Sequence, residues 1–338
     1  MTTRPPEQHG GHHEAPRFER GRAVLTVDLA ALRANYGRLR QEAAPSAVAA
    51  VVKADGYGLG AAAVAPALWE AGCRIFFVAH LDEALGLRAL LPEAAIGVLN
   101  GLTASDPAAF AAHDLVPVLN HPGELASWIE LARRRGQRLP AVLHIDTGLC
   151  RLGFSAAEVD RIDREELAAI ELRLVMSHLA CAEQPDHPLN RRQIERFEAL
   201  RRHLPPARAS LANSSGIFLG PEARLDLCRP GVALYGVNPT PGSCNPMRPV
   251  VSLHAPVLQV HGVTEPGGVG YGATYPIRPG SRVATVALGY ADGLLRSAGS
   301  RAVARIGEWE VLVAGRVSMD LITLDVTGLP EDAVHPGA

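Results

Sequence analysis

Along most of the chain, short apolar runs alternate with loops and with longer Ala/Leu-rich stretches of helical periodicity. Eight such runs follow one another: Ala47 to Lys53, Ile75 to Ala79, Ile96 to Asn100, Val116 to Asn120, Ala141 to Asp146, Leu172 to His178, Ala209 to Asn213 and Leu225 to Arg229. Strands apolar on both faces belong in parallel sheets covered by helices. Eight consecutive strand–helix units therefore predict an α/β fold, a closed (β/α)8 TIM barrel. An open doubly wound sheet shares the alternation, but its usual Gly-rich phosphate turn after the first strand is missing. Gly268, Gly270 and Gly272 do not open a helix after a strand and carry little weight as a dinucleotide signal.

From about His254 the pattern changes to β-branched runs separated by Gly and Pro, as in Ser281 to Leu288, Ala302 to Ile306, Glu310 to Val313 and Leu321 to Val326. This predicts a second, all-β domain over residues 254–338, after a barrel spanning 22–253. The short alternating run Val24 to Asp28 suits pairing with that domain.

Composition narrows the function classes. The 338 residues are 47% hydrophobic with a formal net charge of -2, as expected for a globular protein with a nearly balanced surface. Neither a nucleic-acid nor a membrane partner is indicated, and Arg133-Arg134-Arg135 and Arg191-Arg192 read as solvated helix faces. Cys73, Cys150, Cys181, Cys228 and Cys244 form no CxxC pair, which points to reduced thiols in the cytoplasm, without disulfides or a zinc site. Residues 1–21 read as a disordered tail, rich in Pro, His, Glu and Arg, whose His9, His12 and His13 make at most an adventitious metal site.

Polar residues fall at the C-terminal end of strand after strand: Lys53, Asp146 with Arg151 close behind, His178, Asn213-Ser214 and Arg229. Singly, each has an ordinary reading: a core histidine, a helix-face salt bridge, a helix N-cap. Together they line one barrel mouth, the end that carries active sites. Lys53, closing an apolar run, is costly to bury as an ammonium, so it is either extended to water or kept neutral, and the second option makes it a nucleophilic amine. Ser214, with the backbone N–H groups of Gly231 and Val232 expected to be free after Pro230, falls at the recurrent phosphate position after strands seven and eight. A phosphate cradle opposite an activated lysine implies pyridoxal 5'-phosphate.

The motifs Val-Val-Lys-Ala-Asp-Gly-Tyr-Gly, Asp-Thr-Gly-Leu-Cys-Arg-Leu-Gly, Ser-His-Leu-Ala, Ala-Asn-Ser-Ser, Arg-Pro-Gly-Val-Ala-Leu-Tyr-Gly, Gly-Tyr-Gly-Ala-Thr-Tyr, Gly-Tyr-Ala-Asp-Gly and Val-Ser-Met-Asp resemble, in order, those of the alanine racemases. The resemblance runs from about residue 22 to the C-terminus. It implies pyridoxal-phosphate-dependent interconversion of L- and D-alanine, supplying D-alanine for peptidoglycan, by a homodimer with active sites shared between subunits. Lys53 is then the cofactor-bearing lysine and one acid/base, and Tyr271, from the partner subunit, the other. His178 is implied to hydrogen-bond Tyr271 and to be held in turn by Arg229, which faces the cofactor ring nitrogen. Arg151 serves the cofactor phenolic oxygen and the substrate carboxylate, assisted by the Met319 backbone with Asp320 beside it. Tyr57, Asn213, Ser214, Gly231 and Val232 are cofactor contacts, and Tyr290 lines a narrow entrance that limits the substrate to a small amino acid.

The chain also departs from the family pattern. His144 stands where many members carry a modified lysine that buttresses the arginine, Cys150 where glycine is common, and Ser318 where cysteine is frequent. Members continue past Thr327-Gly-Leu-Pro with further strands, a helix and a cofactor-contacting tyrosine, so the second domain is expected to be incomplete. Competing readings are a non-catalytic pyridoxal-phosphate carrier and a racemase of broader small-amino-acid range. An amino-acid decarboxylase of the same fold and a scaffold that keeps the barrel only for stability are weaker rivals.

Overall fold

The computed structural model describes Phe18 and residues 21–102 and 106–338; the expected N-terminal tail, with His9, His12 and His13, falls outside the described residues. The described chain divides into two compact units, one of Val27–Val251 and one joining residues up to Thr26 with Ser252–Ala338.

In the first unit, seven strands pair in parallel in strict chain order: Ala50–Val51, Ile75–Val78, Ala95–Val98, Val116–Leu119, Leu139–His144, Ile170–Met176 and Arg208–Ser210. The eighth, Leu227–Cys228, closes the barrel onto Ala47–Val48, the first half of strand one, with Leu227 opposite Ala47 and Cys228 opposite Val48. Backbone bonds continue past the ladder, from Ala49 to the Cys228 carbonyl (2.9 Å) and from Val51 to that of Pro230 (3.0 Å). On its other side the residues flanking strand eight donate to strand seven and its end, Asp226 N–H to Ala209 C=O (3.0 Å) and Arg229 N–H to Ala212 C=O (2.9 Å). Every strand thus has two neighbours, and no edge is left to template aggregation.

The apolar runs are explained by burial on both faces. Ala49, Val51, Phe77, Val116, Val118, Val142, Leu174, Met176 and Leu227 form one cluster inside the barrel. The alternate positions Val48, Ala50, Val52, Phe76 and Val78 join the helices in the larger outer core. Helix Leu29–Ala43 starts on Asp28, whose carboxylate accepts the Ala30 and Ala31 N–H groups, and buries Leu32, Tyr36 and Leu39. Helix Pro122–Arg135 opens on a proline, which has no N–H to leave unpaired in the first turn, and ends on Gly136 in the left-handed region, a common helix stop.

The second unit has its own core around Val286, Val311, Ile322 and Leu324. A three-stranded antiparallel sheet sets Arg282–Val286 between Val257–Gly262 and Ile322–Asp325. Two hairpins accompany it, Gly267–Val269 with Tyr275–Ile277 and Val303–Ile306 with Trp309–Leu312. Strand Val24–Val27 pairs with Val251–His254.

Strand three shows how tightly the barrel is filled: a Cβ at Gly97 would lie 2.5 Å from the ring of Phe77, which fills the interior beside it. Gly97→Ala should lower stability by roughly 1–3 kcal/mol through overpacking. Urea unfolding of Gly97→Ala, Phe77→Leu and the double variant checks this: the two changes should partly compensate, and simple additivity would refute the contact.

Candidate active site

Strand one ends at Val51, and after Val52 the chain makes an unusual turn. Ala54, Asp55, Gly56 and Tyr57 all have φ between 52° and 64°, in the left-handed region. For the three residues that carry a Cβ this costs roughly 1–2 kcal/mol each. Several bonds fix the turn: Gly56 N–H to Val52 C=O (3.0 Å), Gly58 N–H to Ala54 C=O (2.8 Å) and Ala61 N–H to the Asp55 carboxylate (2.7 Å). The result stations Lys53, half-buried, at the mouth and points Tyr57 at strand eight, where its ring stacks on Tyr235 with centroids 4.6 Å apart.

Across the closure, the Gly231 backbone lies against Tyr57, since a Cβ there would fall on the Tyr57 hydroxyl. Ser214, buried after strand seven, accepts the N–H groups of Gly231 (3.0 Å) and Ala233 (3.2 Å). The Gly231 N–H, expected to be free, is therefore engaged: a hydroxyl oxygen can accept two donors, and Ser214 is placed to do so. Val232 N–H opens a short 3-10 turn, where intrahelical acceptors are lacking. The Tyr57 hydroxyl and Ser214 thus both meet the turn at Gly231, an arrangement that could hold an oxyanion. Asn213 shapes the loop instead, since its side-chain oxygen caps Gly216 N–H (2.9 Å) and its amide donates to the Leu179 carbonyl (3.3 Å).

Arg229 is buried and donates to the Ser210 hydroxyl and to the Ser177 carbonyl (2.5 Å). The bond between Arg229 and His178 implied by the resemblance is replaced by these two, while His178 Nε2 lies 3.5 Å from the Asn213 amide. Burial pushes the Arg229 guanidinium down to about 10, which leaves it cationic at neutral pH. His178 is pushed down to about 3, first by burial and then by Arg229, Arg151, His144 and Lys53. These perturbing groups belong to one electropositive mouth, in which buried Arg229 has no carboxylate partner among the described residues. Buried charge of that kind favours an electron-rich partner in the mouth. A phosphate-bearing cofactor with a carbonyl for Lys53 fits this donor set, whereas no cluster of potential metal ligands occurs among the described residues.

Arg151 stands exposed on a tight loop leaving strand five. The Asp146 carboxylate gathers the N–H groups of Gly148, Leu149 and Cys150 (2.9–3.2 Å), and Phe154 N–H returns to the His144 carbonyl (2.8 Å). Cys150, at φ 57°, occupies a conformation that glycine takes more cheaply. His144 is buried, with Nδ1 2.8 Å from the Asn120 side-chain oxygen, so it braces strand four. In the second unit, Tyr290 and Met319 share one loop cluster through Tyr290 N–H to Ser318 C=O (3.0 Å) and Ala291 N–H to Met319 C=O (2.9 Å). Asp320 follows Met319 there, and Gly270 and Gly272 carry Tyr271 alongside Arg316. Tyr271 is 73% exposed and Met319 54%.

Several side chains that shape the rim escape a reading by residue type. Glu83 accepts backbone N–H groups after strands one and two, and Glu124 does so after strands three and four. Gln193 links Thr147 Oγ1 (3.2 Å) to the His178 carbonyl (2.9 Å). The two glutamates stand in a repeated spacing, His80-x-x-Glu83 and His121-x-x-Glu124, which was the available signal.

Burial also pushes the His144 imidazole down to about 4 from an ordinary 6.5. The unfolded chain therefore takes up this proton first as pH falls, so the contribution is intact above about 6.5 and is lost progressively towards 4, on the order of 3 kcal/mol. Urea midpoints measured between pH 7 and 4.5 should fall more steeply in the wild type than in His144→Gln. Equal slopes would exclude His144 as a source of the acid sensitivity.

Comparison with known proteins places this geometry. The alanine racemase N-terminal domain model matches residues 27–239, and the alanine racemase C-terminal domain model matches 250–337. The chain is 50% identical over 324 residues to an alanine racemase of Rhodospirillum rubrum, covering 95% of this chain and 87% of that protein. With an alanine racemase of Methylobacterium nodulans it shares 51% over 318 residues, 94% of this chain and 86% of the other. Among solved structures, alanine racemase from Bartonella henselae with covalently bound pyridoxal phosphate superposes with a TM-score of 0.88 at 38% identity, over 94% of this chain and 88% of that one. The biosynthetic alanine racemase of Pseudomonas aeruginosa gives 0.84 at 34% identity, over 94% and 88%. With both domain models matched and half its residues shared with curated members, the chain belongs to the alanine racemase family.

Proposed function

We propose that this protein interconverts L-alanine and D-alanine with pyridoxal 5'-phosphate bound at the barrel mouth. The observation that carries the reading is the electropositive mouth: Lys53 on one side of the barrel closure, an oxyanion cradle on the other, and buried Arg229 between strands without a carboxylate partner among the described residues. When bound to Lys53, the cofactor supplies the electron withdrawal that makes the α-proton of an amino acid labile.

The chain supplies everything else. The Lys53 amine, once free of the cofactor, holds or returns a proton on one face of the substrate, and the Tyr271 phenol is assigned to the opposite face. Racemisation needs two such groups, because a single base returns the proton to the side it came from. Tyr57, Ser214 and the turn opened by Val232 would hold the phosphate, Gly231 leaving room for the Tyr57 hydroxyl while its N–H fixes Ser214, and Asn213 keeps the loop of Ser214 in place. Arg151 offers a planar fork to a carboxylate or phenolate oxygen. Arg229 sets a fixed positive charge beside the ring site, where it disfavours protonation of the ring nitrogen and so limits side reactions. His178, kept neutral, offers a hydrogen bond to the phenol without adding charge. Tyr290, Met319 and Asp320 are assigned to the substrate entrance.

The exposed Tyr271 and Met319 suit a homodimer in which each subunit completes its neighbour's site. A cytoplasmic enzyme providing D-alanine for peptidoglycan fits the family; no described helix is long and apolar enough to cross a membrane.

D-alanine formation from L-alanine with added pyridoxal phosphate is the direct test, and absence of turnover in a folded, cofactor-loaded dimer would sink the reading. Gly231→Ala should collide with the Tyr57 hydroxyl and weaken cofactor retention by about tenfold or more, a loss of about 1.4 kcal/mol. Absorbance of the bound cofactor during dialysis measures this, and unchanged retention would remove Gly231 from the cradle.

A further inference from the structure

We propose that Glu83 is a positioning residue for Lys53. It lies in the first turn of helix Leu81–Leu90, which follows strand two, and its carboxylate collects four backbone donors. One oxygen accepts the N–H groups of Ala54 (2.5 Å) and Asp55 (3.4 Å), the two residues directly after Lys53. The other accepts those of Ala79 (2.7 Å) and His80 (3.2 Å) at the end of strand two. A single side chain therefore ties the segment after Lys53 to the neighbouring strand.

That segment needs such a tie. Ala54, Asp55 and Tyr57 are held in a left-handed conformation that L-residues disfavour, and Ala54 and Asp55 are exposed to solvent, so the local packing does not impose it. At its far end the turn is fastened by Asp55 to Ala61. At its near end, next to Lys53, the side-chain fastening comes from Glu83. Relaxation there would swing the Lys53 backbone and the Tyr57 hydroxyl together, taking the amine and one wall of the cradle out of register. The helix N-terminus independently favours a negative charge at this place. A neutral glutamine has one acceptor oxygen, and its amide would present donors to two N–H groups.

This role rests on Lys53 being the cofactor-bearing amine, but its physical core can be read without turnover. Hydrogen exchange of the full-length protein should show Ala54 and Asp55 amides protected in the wild type despite their exposure. In Glu83→Gln those two amides should exchange at least about tenfold faster, whereas Glu124→Gln, which removes the same kind of tie two strands away, should leave them unchanged. With alanine as substrate, kcat of Glu83→Gln should fall by about tenfold or more with KM within about twofold, beyond any fall explained by the unfolded fraction. Unchanged exchange at Ala54 and Asp55, or a kcat loss no greater than the loss of folded protein, overturns the proposal. If Glu83→Gln does not fold, Glu83→Asp, which keeps the charge but shortens the reach, should show the same faster exchange. Wild-type amides already unprotected would overturn the proposal outright. An inactive wild type with protected amides would instead refute the racemase reading while leaving Glu83 as the tie.

Discussion

The site depends on how the barrel closes. Strand eight meets the first half of strand one with Leu227 opposite Ala47, and that register carries Arg229, Pro230 and Gly231 up beside Val51, Lys53 and Tyr57. Residues from opposite ends of the barrel sequence thereby form one pocket wall. Tyr235 secures the seam, with its hydroxyl on the Val51 carbonyl (3.2 Å) and its ring against Tyr57. A slip of one residue would reverse the facing of every side chain on the strand.

The second constraint is electrostatic. A buried guanidinium answered, among the described residues, by a hydroxyl and a carbonyl is an arrangement that folding alone would not favour. The nearby histidines respond by staying neutral, since burial and the surrounding cations both oppose a further proton. The mouth thus keeps the Arg229 charge at neutral pH and holds its buried imidazoles as uncharged hydrogen-bonding partners. Stability given up at Arg229 is the sort of local cost that functional sites carry.

Much of this was legible in the residues. The apolar runs located the barrel strands because a parallel strand buried on both faces has no polar positions to confuse the pattern. Polar residues at the ends of those runs, Lys53, His178, Ser214 and Arg229 among them, stand out for the same reason. The hydrogen bonds among them were not legible. Whether the Gly231 N–H is free depends on where the Ser214 hydroxyl points, and whether Arg229 reaches His178 depends on Ser177 and Ser210 lying nearer. Glu83 and Glu124 escaped notice because a glutamate in the first turn of a helix already has an ordinary explanation in capping.

Taken around the rim, these polar contacts form a hoop. Glu83 joins the first and second loops, Glu124 the third and fourth, Gln193 the fifth and sixth, and Ser214 the seventh and eighth. Between these pairs stand three asparagine–histidine contacts, Asn100 with His80, Asn120 with His144 and Asn213 with His178, and the Tyr57–Tyr235 stack spans the seam. A ring of short links shares strain among its members as a tensioned rim does on a wheel. Loops that would otherwise move independently become one frame, so a load placed on the Lys53 turn is carried by its neighbours on both sides.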